Sequence, residues 1–209
     1  MERDVITDVV FDFCGVLIDW QWGEAMKRHA PDWFLEHLDD PDDPYGFFRY
    51  EDRMDAGELL ADIMPDIVAE QGQEIADLFD YYIAHYDDAL PNLIPGVESL
   101  LRDLRDAGVR IWGLTNWSSE TFHYAFELYP QLEELLSGTV VSGIEKLHKP
   151  EGAIYEHAQR RFHLVPEQTM FFDDTARNVQ GALDCGWNAC QFTSADGARK
   201  ALRDHGVTV

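Results

Sequence analysis

Six polar residues in this sequence have side chains that could together bind a metal ion and a phosphate group. They are Asp12, Thr115, Asn116, Lys149, Asp173 and Asp174. Grouped carboxylates beside a lysine, without histidine or cysteine ligands, suit a hard cation such as Mg²⁺ that bridges to a phosphate. The eight histidines show no metal-ligand spacing. The residue types therefore predict a magnesium site next to an anion site, provided that the fold brings them together.

Most of these residues stand at or shortly after the end of a short apolar segment that is typical of a buried strand. The segments are residues 9–11, 109–114, 138–142 and 169–172, and residues 189–192 form a further one. Helical patterns alternate with these segments. Such alternation predicts an α/β fold, a Rossmann-like three-layer doubly wound parallel sheet. Ligands bind at the carboxyl ends of such strands, so the polar residues should meet at one edge.

Residues 20–90 interrupt this alternation with a charged, helical region. Residues 51–63 and 73–85 each have the apolar stripe of an amphipathic helix. Pro91 and the Pro95-Gly96 pair close the region. We therefore predict two domains: a Rossmann-like core of residues 1–18 and 92–209, and a helical cap of residues 19–91 inserted within it.

Four segments of the chain carry a more specific pattern. They read VVFDFCGVL at 9–17, LTNW at 114–117, HKP at 148–150 and FFDDTARN at 171–178. In this order and at these separations they resemble the four motifs of the haloacid dehalogenase (HAD) superfamily. The insertion is similar to the small helical cap of the phosphatase and dehalogenase branch. Within that branch the chain looks most like the bacterial sugar-phosphate phosphatases that act on α-D-glucose 1-phosphate.

The resemblance implies a magnesium-dependent phosphatase that hydrolyses a small phosphorylated metabolite, with sugar phosphates among the candidates. Asp12 would attack phosphorus and form an aspartyl-phosphate, which water then cleaves. Lys149 would neutralise both the phosphate and Asp12. Thr115 and the amides after it would hold phosphate oxygens near a helix N-terminus. Gly15 would let the backbone turn tightly under the substrate.

The resemblance also implies which groups bind Mg²⁺. These are Asp12, the backbone carbonyl of Cys14, and a carboxylate of the Asp173-Asp174 pair, in which Asp174 is the better candidate. Asn116 would face the phosphate or the leaving group. Asn178 would either contact the same ligand or only brace the loop, and the sequence leaves both readings open.

Position 14 departs from the pattern of the superfamily's phosphatases, which usually have a second aspartate there to protonate the leaving group. A cysteine thiol, with a usual pKa of about 8.5, is a poor acid for an alkoxide. General acid catalysis contributes about 10² to 10⁴ in rate. The chain therefore cleaves a substrate with a better leaving group, uses another acid, or is slow. Asp19 could be that acid, although capping the first cap helix is the better reading for it.

Two alternatives remain open at this point. A 2-haloacid dehalogenase also uses an aspartate nucleophile, but that branch needs no metal and typically lacks the paired aspartates of the fourth motif. The Asp173-Asp174 pair therefore argues against it. The other alternative is a low-activity relative that binds a phosphorylated ligand, and Cys14 is the only residue that supports it.

Composition limits the partners of this chain. Forty acidic against sixteen basic residues give a net charge of −24, which disfavours nucleic acid and anionic membranes as partners. No apolar run is long enough for a membrane span, and the first residues lack a secretory pattern. Three cysteines without a C-x-x-C pair indicate reduced thiols. We expect a cytoplasmic enzyme, and the sequence does not predict its oligomeric state.

Overall fold

A central parallel sheet organises the computed structural model, which describes residues 5–37 and 40–209. Within those residues the strands are β1 (Asp8–Phe11), β2 (Ile18–Asp19), β3 (Asn92–Leu93), β4 (Arg110–Thr115), β5 (Thr139–Val141), β6 (Thr169–Asp173) and β7 (Asn188–Gln191). The central sheet has the order β5-β4-β1-β6-β7, with all neighbours parallel. β2 and β3 form a separate antiparallel pair. The predicted α/β doubly wound fold is confirmed.

Helices fill the connections between the strands. They are α1 (Trp22–Met26), α2 (Asp32–Leu35), α3 (Phe47–Asp55), α4 (Leu60–Gln71), α5 (Gln73–Ala84), α6 (Val97–Asp106), α7 (His123–Leu128), α8 (Pro130–Leu135), α9 (Ser142–Glu145), α10 (Gly152–Phe162), α11 (Ala176–Asp184) and α12 (Ala195–Asp204). Short 3-10 turns span Tyr86–Ala89 and Pro166–Gln168. Among the described residues, no helix has the length and apolar character needed to cross a bilayer.

Successive side chains of β1 point to opposite faces of the sheet and are buried there. Val9 and Phe11 belong to one apolar core together with α6 and α12, whereas Val10 belongs to a second core with α10 and α11. Because both faces are covered by helices, all four residues of β1 are buried. Three of them are apolar, and the fourth is Asp8. The sheet therefore forms the middle of three layers.

Strand register determines which residues meet at the carboxyl edge of the sheet. Phe11 at the end of β1 pairs with Gly113 of β4 and with Phe172 of β6. The N–H of Asp12 donates to the carbonyl of Phe172 over 2.9 Å. Asp12 therefore lies beside Asp173, the residue that follows Phe172.

The helices α1 to α5, which we call the helical insertion, stand between β2 and β3 in the chain. An aromatic cluster holds them together: the ring centroid of Phe47 lies 5.0 Å from that of Phe79 and 5.3 Å from that of Trp22. Such aromatic pairs add to the stabilisation that the insertion gains from buried aliphatic side chains such as Ile63 and Ile67. The predicted domain ranges include residues 1–4 and 38–39, which lie outside the described residues.

The single helix predicted over residues 51–63 is wrong. The structure has two helices there, because α3 ends at Asp55 and α4 begins at Leu60. Gly57 between them has a φ of +101°, a left-handed value that favours glycine and stops a helix. An added Cβ on Gly57 would lie 3.1 Å from the carbonyl oxygen of Gly143, so this turn packs closely on α9, the short helix after β5.

Candidate active site

Lys149 lies at the centre of the polar edge of the sheet. Its Nζ is 2.9 Å from Oδ1 of Asp12 and 2.7 Å from Oδ2 of Asp173, and it donates to the carbonyl of Leu114 over 3.1 Å. The lysine is fully buried, and these three contacts use its three donors. A buried ammonium group with such partners is held in one position. The structure thus brings together Asp12, Lys149 and Asp173, which the sequence singled out.

Three carboxylates form a candidate metal site at this edge. Asp12, Asp173 and Asp174 each offer an oxygen within 4.8 Å of the others. Gly15 makes room for this group: it has a φ of +77°, and a Cβ built on it would lie 2.3 Å from Oδ2 of Asp174. Glycine is therefore required where the first loop passes under Asp174. The acidic oxygens and this close approach fit a small hard cation.

Burial dominates the electrostatics of these groups. It raises the pKa of Asp12 to about 7, although the neighbouring charge of Lys149 lowers it. Burial lowers the pKa of Lys149, but the charges of Asp12 and Asp173 outweigh it and leave the lysine pKa above its usual value. Burial, and then the charge of Asp173, raise the pKa of Asp174. The site thus has surplus negative charge that a cation would relieve.

Asn116 holds the main chain of Lys149. Its Oδ1 accepts from the N–H of Lys149 over 2.8 Å, and its Nδ2 donates to the carbonyl of Lys149 over 3.0 Å. The same Nδ2 lies 2.9 Å from Nε2 of His148, which in turn lies 3.4 Å from Oδ1 of Asp52 on α3. Asn116 was predicted to face the phosphate or leaving group. Its amide is engaged with the lysine loop and it also lines the cavity above Asp12, so the predicted contact stays a prediction.

Asn178 and Thr115 are both buried. The Nδ2 of Asn178 donates to both carboxylate oxygens of Asp173 over 3.1 Å, which supports the bracing reading for this residue. The N–H of Thr175 adds a third bond to Asp173, over 2.8 Å. Thr115 ends β4, is fully buried, and its hydroxyl lies 3.4 Å from the carbonyl of Asn116. Its predicted contact with phosphate oxygens stays a prediction.

Cys14 lies in the loop after β1, half-buried, with its thiol free. Burial raises its pKa well above the usual value, and the charges of Asp12, Glu51 and Asp55 raise it further. The thiol is therefore held neutral and is an even weaker acid than an exposed cysteine. The structure gives no support to Cys14 as a proton donor.

A cavity of about 350 Å³ lies between the sheet edge and the helical insertion. Its floor is formed by the residues described above, and its opposite wall includes side chains of the insertion that sequence reasoning did not assign to the site. These are Trp20, Glu51, Asp52, Asp55 and Tyr86. Arg177 and His148 also line the cavity and were missed. Glu51 and Asp55 are four apart on α3, so helical spacing was a signal that could have paired them.

The fold and this arrangement of acidic and lysine side chains define a HAD-type hydrolase. The sequence model of the haloacid dehalogenase-like hydrolase family matches residues 8–186. The match runs from β1 to just past the end of α11, which is most of the chain, and the chain therefore belongs to this family. The resemblance inferred from the four motifs is confirmed.

Two curated relatives match part of the chain. A sesquiterpene phosphatase of Aspergillus oryzae is 31% identical over 97 residues, 46% of this chain and 49% of the phosphatase. A chloroplastic flavin mononucleotide hydrolase of Arabidopsis thaliana is 28% identical over 116 residues, 56% of this chain and 46% of the hydrolase. The alignments thus span about half the length of each relative.

Solved structures share the fold over nearly the whole chain. A HAD family enzyme from Bacteroides thetaiotaomicron, in complex with magnesium and inorganic phosphate, superimposes with a TM-score of 0.69 at 19% identity, covering 90% of this chain and 95% of that one. L-2-haloacid dehalogenase from Xanthobacter autotrophicus superimposes with a TM-score of 0.63 at 17% identity, covering 95% and 83%. At these identities the similarity establishes the fold.

Proposed function

We propose that this protein is a magnesium-dependent phosphatase that hydrolyses a small phosphorylated metabolite through an aspartyl-phosphate on Asp12. One observation carries the proposal: Lys149 bridges Asp12 and Asp173, with Asp174 close enough to share a cation with both. Relatives that are phosphatases, and a neighbour solved with magnesium and inorganic phosphate, support the same reaction.

Mg²⁺ would be held by Asp12, the carbonyl of Cys14 and Asp174, with Asp173 bound to Lys149 behind them. When bound, it would supply positive charge that keeps Asp12 ionised and offsets the charge of the phosphate. The donor set is all oxygen, which is the set this cation prefers. The glycine at position 15 allows Asp174 to approach the first loop closely enough to belong to that set.

The protein's own residues then perform the transfer. An oxygen of Asp12 attacks phosphorus, and the bond between phosphorus and the leaving oxygen breaks. Lys149 stabilises the negative charge that gathers between Asp12 and the phosphoryl oxygens. Asn116 keeps the lysine main chain in place during this step. Water subsequently attacks phosphorus, releases inorganic phosphate and restores Asp12.

The cavity favours a small, hydroxylated substrate. Its volume of about 350 Å³ fits a phosphorylated sugar or polyol better than a flavin nucleotide. The cavity wall formed by α3 is polar, because three carboxyl groups of that helix line it, and polar groups there suit a substrate with hydroxyl groups. A terpenyl chain would find fewer apolar partners on this wall. Sugar phosphates therefore stay our first candidates.

The test compares wild-type protein with Asp12→Asn against a panel of phosphorylated metabolites, an aryl phosphate and a 2-haloacid, each with Mg²⁺ and with EDTA. We expect phosphate release only from wild type with Mg²⁺, and no halide release. Thermal unfolding would check that the variant folds. Halide release in EDTA would establish the dehalogenase alternative. Phosphate binding without turnover of any ester would establish the low-activity binding protein.

A further inference from the structure

The position of Asp12 determines the side from which the leaving group must depart. In an in-line displacement the leaving oxygen lies opposite the nucleophile. Asp12 stands on the sheet side of the cavity, so the leaving oxygen of a substrate faces the helical insertion. Any acid that protonates this oxygen must therefore reach it from the insertion side. Cys14 is a poor candidate, because a thiol is a poor acid for an alkoxide.

On that side, α3 presents three carboxyl groups to the cavity, and two of them lie one helical turn apart. Glu51 and Asp55 are one helical turn apart and share the cavity-facing side of the helix, whereas Phe47, Tyr50 and Met54 are buried. The apolar stripe fixes the rotation of α3 about its axis. Both carboxyl groups are thus aimed at the substrate space by the packing of the helix.

Asp55 is held rigidly where α3 meets the sheet. Its main-chain carbonyl accepts from Oγ of Ser142 over 2.5 Å, and the backbone of Ser118 lies close enough to its carboxyl group to favour the ionised form. Ser118 follows β4 by three residues, in the loop that also carries Asn116. Asp55 is therefore the insertion carboxyl that is tied directly to the catalytic edge of the sheet.

Glu51 lies one helical turn before Asp55 on α3 and makes hydrogen bonds of its own. The hydroxyl of Tyr82 donates to Oε1 of Glu51 over 2.8 Å, and Tyr86 adds a second bond. These bonds hold the carboxyl group of Glu51 in place on the same side of α3 as Asp55. Two close carboxyl groups in a confined space retain a proton between them, because both cannot be ionised cheaply.

We propose, on the basis of the proposed phosphatase function, that Asp55 is the general acid of this enzyme and that Glu51 is its positioning partner. Asp55 thus performs the step that an aspartate at position 14 would perform in related phosphatases. A catalytic group supplied by the inserted helices would also make proton donation depend on how the insertion packs against the sheet.

The pKa values of the two groups agree with this assignment. Burial raises the pKa of Asp55 well above its usual range, and the charge of Glu51 raises it further. Burial also raises the pKa of Glu51 to about 7, although the tyrosine hydrogen bonds lower it. A carboxyl group in this environment keeps a proton near neutral pH, as a general acid must.

As the oxygen of Asp12 forms its bond to phosphorus, the bond from phosphorus to the leaving oxygen breaks, and the Asp55 proton moves to that oxygen. An alcohol departs and Asp55 is left ionised. The ionised Asp55 then takes a proton from the water that attacks the aspartyl-phosphate, so inorganic phosphate leaves and both aspartates return to their starting states.

Two other acids of the cavity are poorer candidates. Asp19 accepts a hydrogen bond of 2.6 Å from Gln21 Nε2, and its pairing with Asn92 places it in the antiparallel pair at the base of the insertion. Asp52 lies 3.4 Å from Nε2 of His148, and its side chain is 64% exposed to solvent, away from the confined part of the cavity. Asp55 alone among these three combines low exposure to water with a bond to the sheet edge.

The test uses the full-length chain with Mg²⁺ and phosphate monoesters of graded leaving-group basicity, from p-nitrophenyl phosphate to glycerol phosphate. We expect Asp55→Asn to lower kcat/KM by about 10² to 10⁴ for the alkyl ester, whose leaving group needs a proton. The p-nitrophenyl ester should lose less than about tenfold, because its leaving group departs without help. The slope of log kcat/KM against leaving-group pKa should therefore steepen.

Asp80→Asn is the matched control, because Asp80 is an exposed aspartate of α5 in the same insertion. It should leave both rates and the slope unchanged. If Asp55→Asn does not fold, Glu51→Gln is used in its place. This variant should lower kcat/KM by a smaller factor, and again more for the alkyl ester than for the p-nitrophenyl ester. Equal losses for every ester, or no loss, would overturn the Asp55 assignment while the phosphatase function stands. Absence of ester hydrolysis by wild type would overturn both.

Discussion

The glycine at position 15 couples two parts of the active site at the level of single atoms. Its φ of +77° lets the loop after β1 turn, and its missing side chain leaves space for Oδ2 of Asp174. Gly15, in the first motif, meets both requirements: the left-handed backbone and the space for Asp174. The loop that carries Asp12 and Cys14 can therefore approach the second aspartate of the fourth motif.

Gly15→Ala tests this coupling. The added Cβ would lie 2.3 Å from Asp174, so we expect Asp174 to move, Mg²⁺ affinity to fall at least tenfold and activity to fall with it. Gly108→Ala is the matched control: Gly108 also has a φ of +77°, but nothing lies within 4 Å of its Cβ. Each change should cost about 1 kcal/mol of folding stability from the left-handed backbone.

Mg²⁺ titrations of activity and urea unfolding of both variants would measure these effects. If Gly108→Ala loses as much metal affinity as Gly15→Ala, backbone strain rather than the contact with Asp174 is responsible.

Sequence reasoning singled out residues of the site that directly follow strands. Asp12, Asp173 and Asp174 were identifiable because parallel strands end at one edge and motif order fixes their roles. Glu51 and Asp55 were not assigned, because their place depends on how α3 packs against the sheet, a contact between residues far apart in the chain. The amide partners of Asn116 could not be predicted for the same reason.

At the scale of elements, one serine joins α3 to the sheet. The Oγ of Ser142, at the start of α9, accepts from the N–H of Trp117 over 2.9 Å and donates to the carbonyl of Asp55 over 2.5 Å. The carboxyl group of Glu120 also accepts from the N–H of Leu60 over 2.6 Å. These bonds connect the end of α3 and the start of α4 to the loops after β4 and β5.

We expect Ser142→Ala to destabilise the protein by about 1–3 kcal/mol, because it leaves a buried N–H and a carbonyl without their partner. It should also raise KM, since α3 then loses a tie to the sheet. Urea unfolding and steady-state kinetics would measure both effects. Ser99→Ala is the control, because the hydroxyl of Ser99 is exposed on α6. An unchanged free energy of unfolding would show that Ser142 does not tie α3 to the sheet.

The order of the elements followed from apolar patterns, whereas their ends did not. Short buried runs predicted the strands of the central sheet, since strands covered on both faces are continuously apolar. The break between α3 and α4 escaped prediction because the apolar spacing runs through it, and the left-handed Gly57 that causes it fits against Gly143 only in the folded chain. The division of the chain at residues 18 and 92 stays a prediction.

At the scale of the whole molecule, a net charge of −24 surrounds a site proposed for an anionic substrate. That field repels a phosphate ester at long range and attracts Mg²⁺. Lys149 and Arg177 line the cavity as cations, against six acidic side chains: Asp12, Asp19, Glu51, Asp52, Asp55 and Asp174. A bound cation would therefore contribute more to binding an anionic substrate here than it would in a protein without this negative charge. The predicted cytoplasmic location and the absence of nucleic-acid or membrane partners stay predictions.

The most direct measurement of the central claim identifies the residue that becomes phosphorylated. Wild-type protein would be mixed with Mg²⁺ and saturating aryl phosphate, quenched in acid, reduced with borohydride, and digested for mass spectrometry. An acyl phosphate is reduced to an alcohol, so residue 12 should appear as homoserine with substrate and as aspartate without it. Modification of a different residue, or steady phosphate release while residue 12 stays unmodified, would contradict the account.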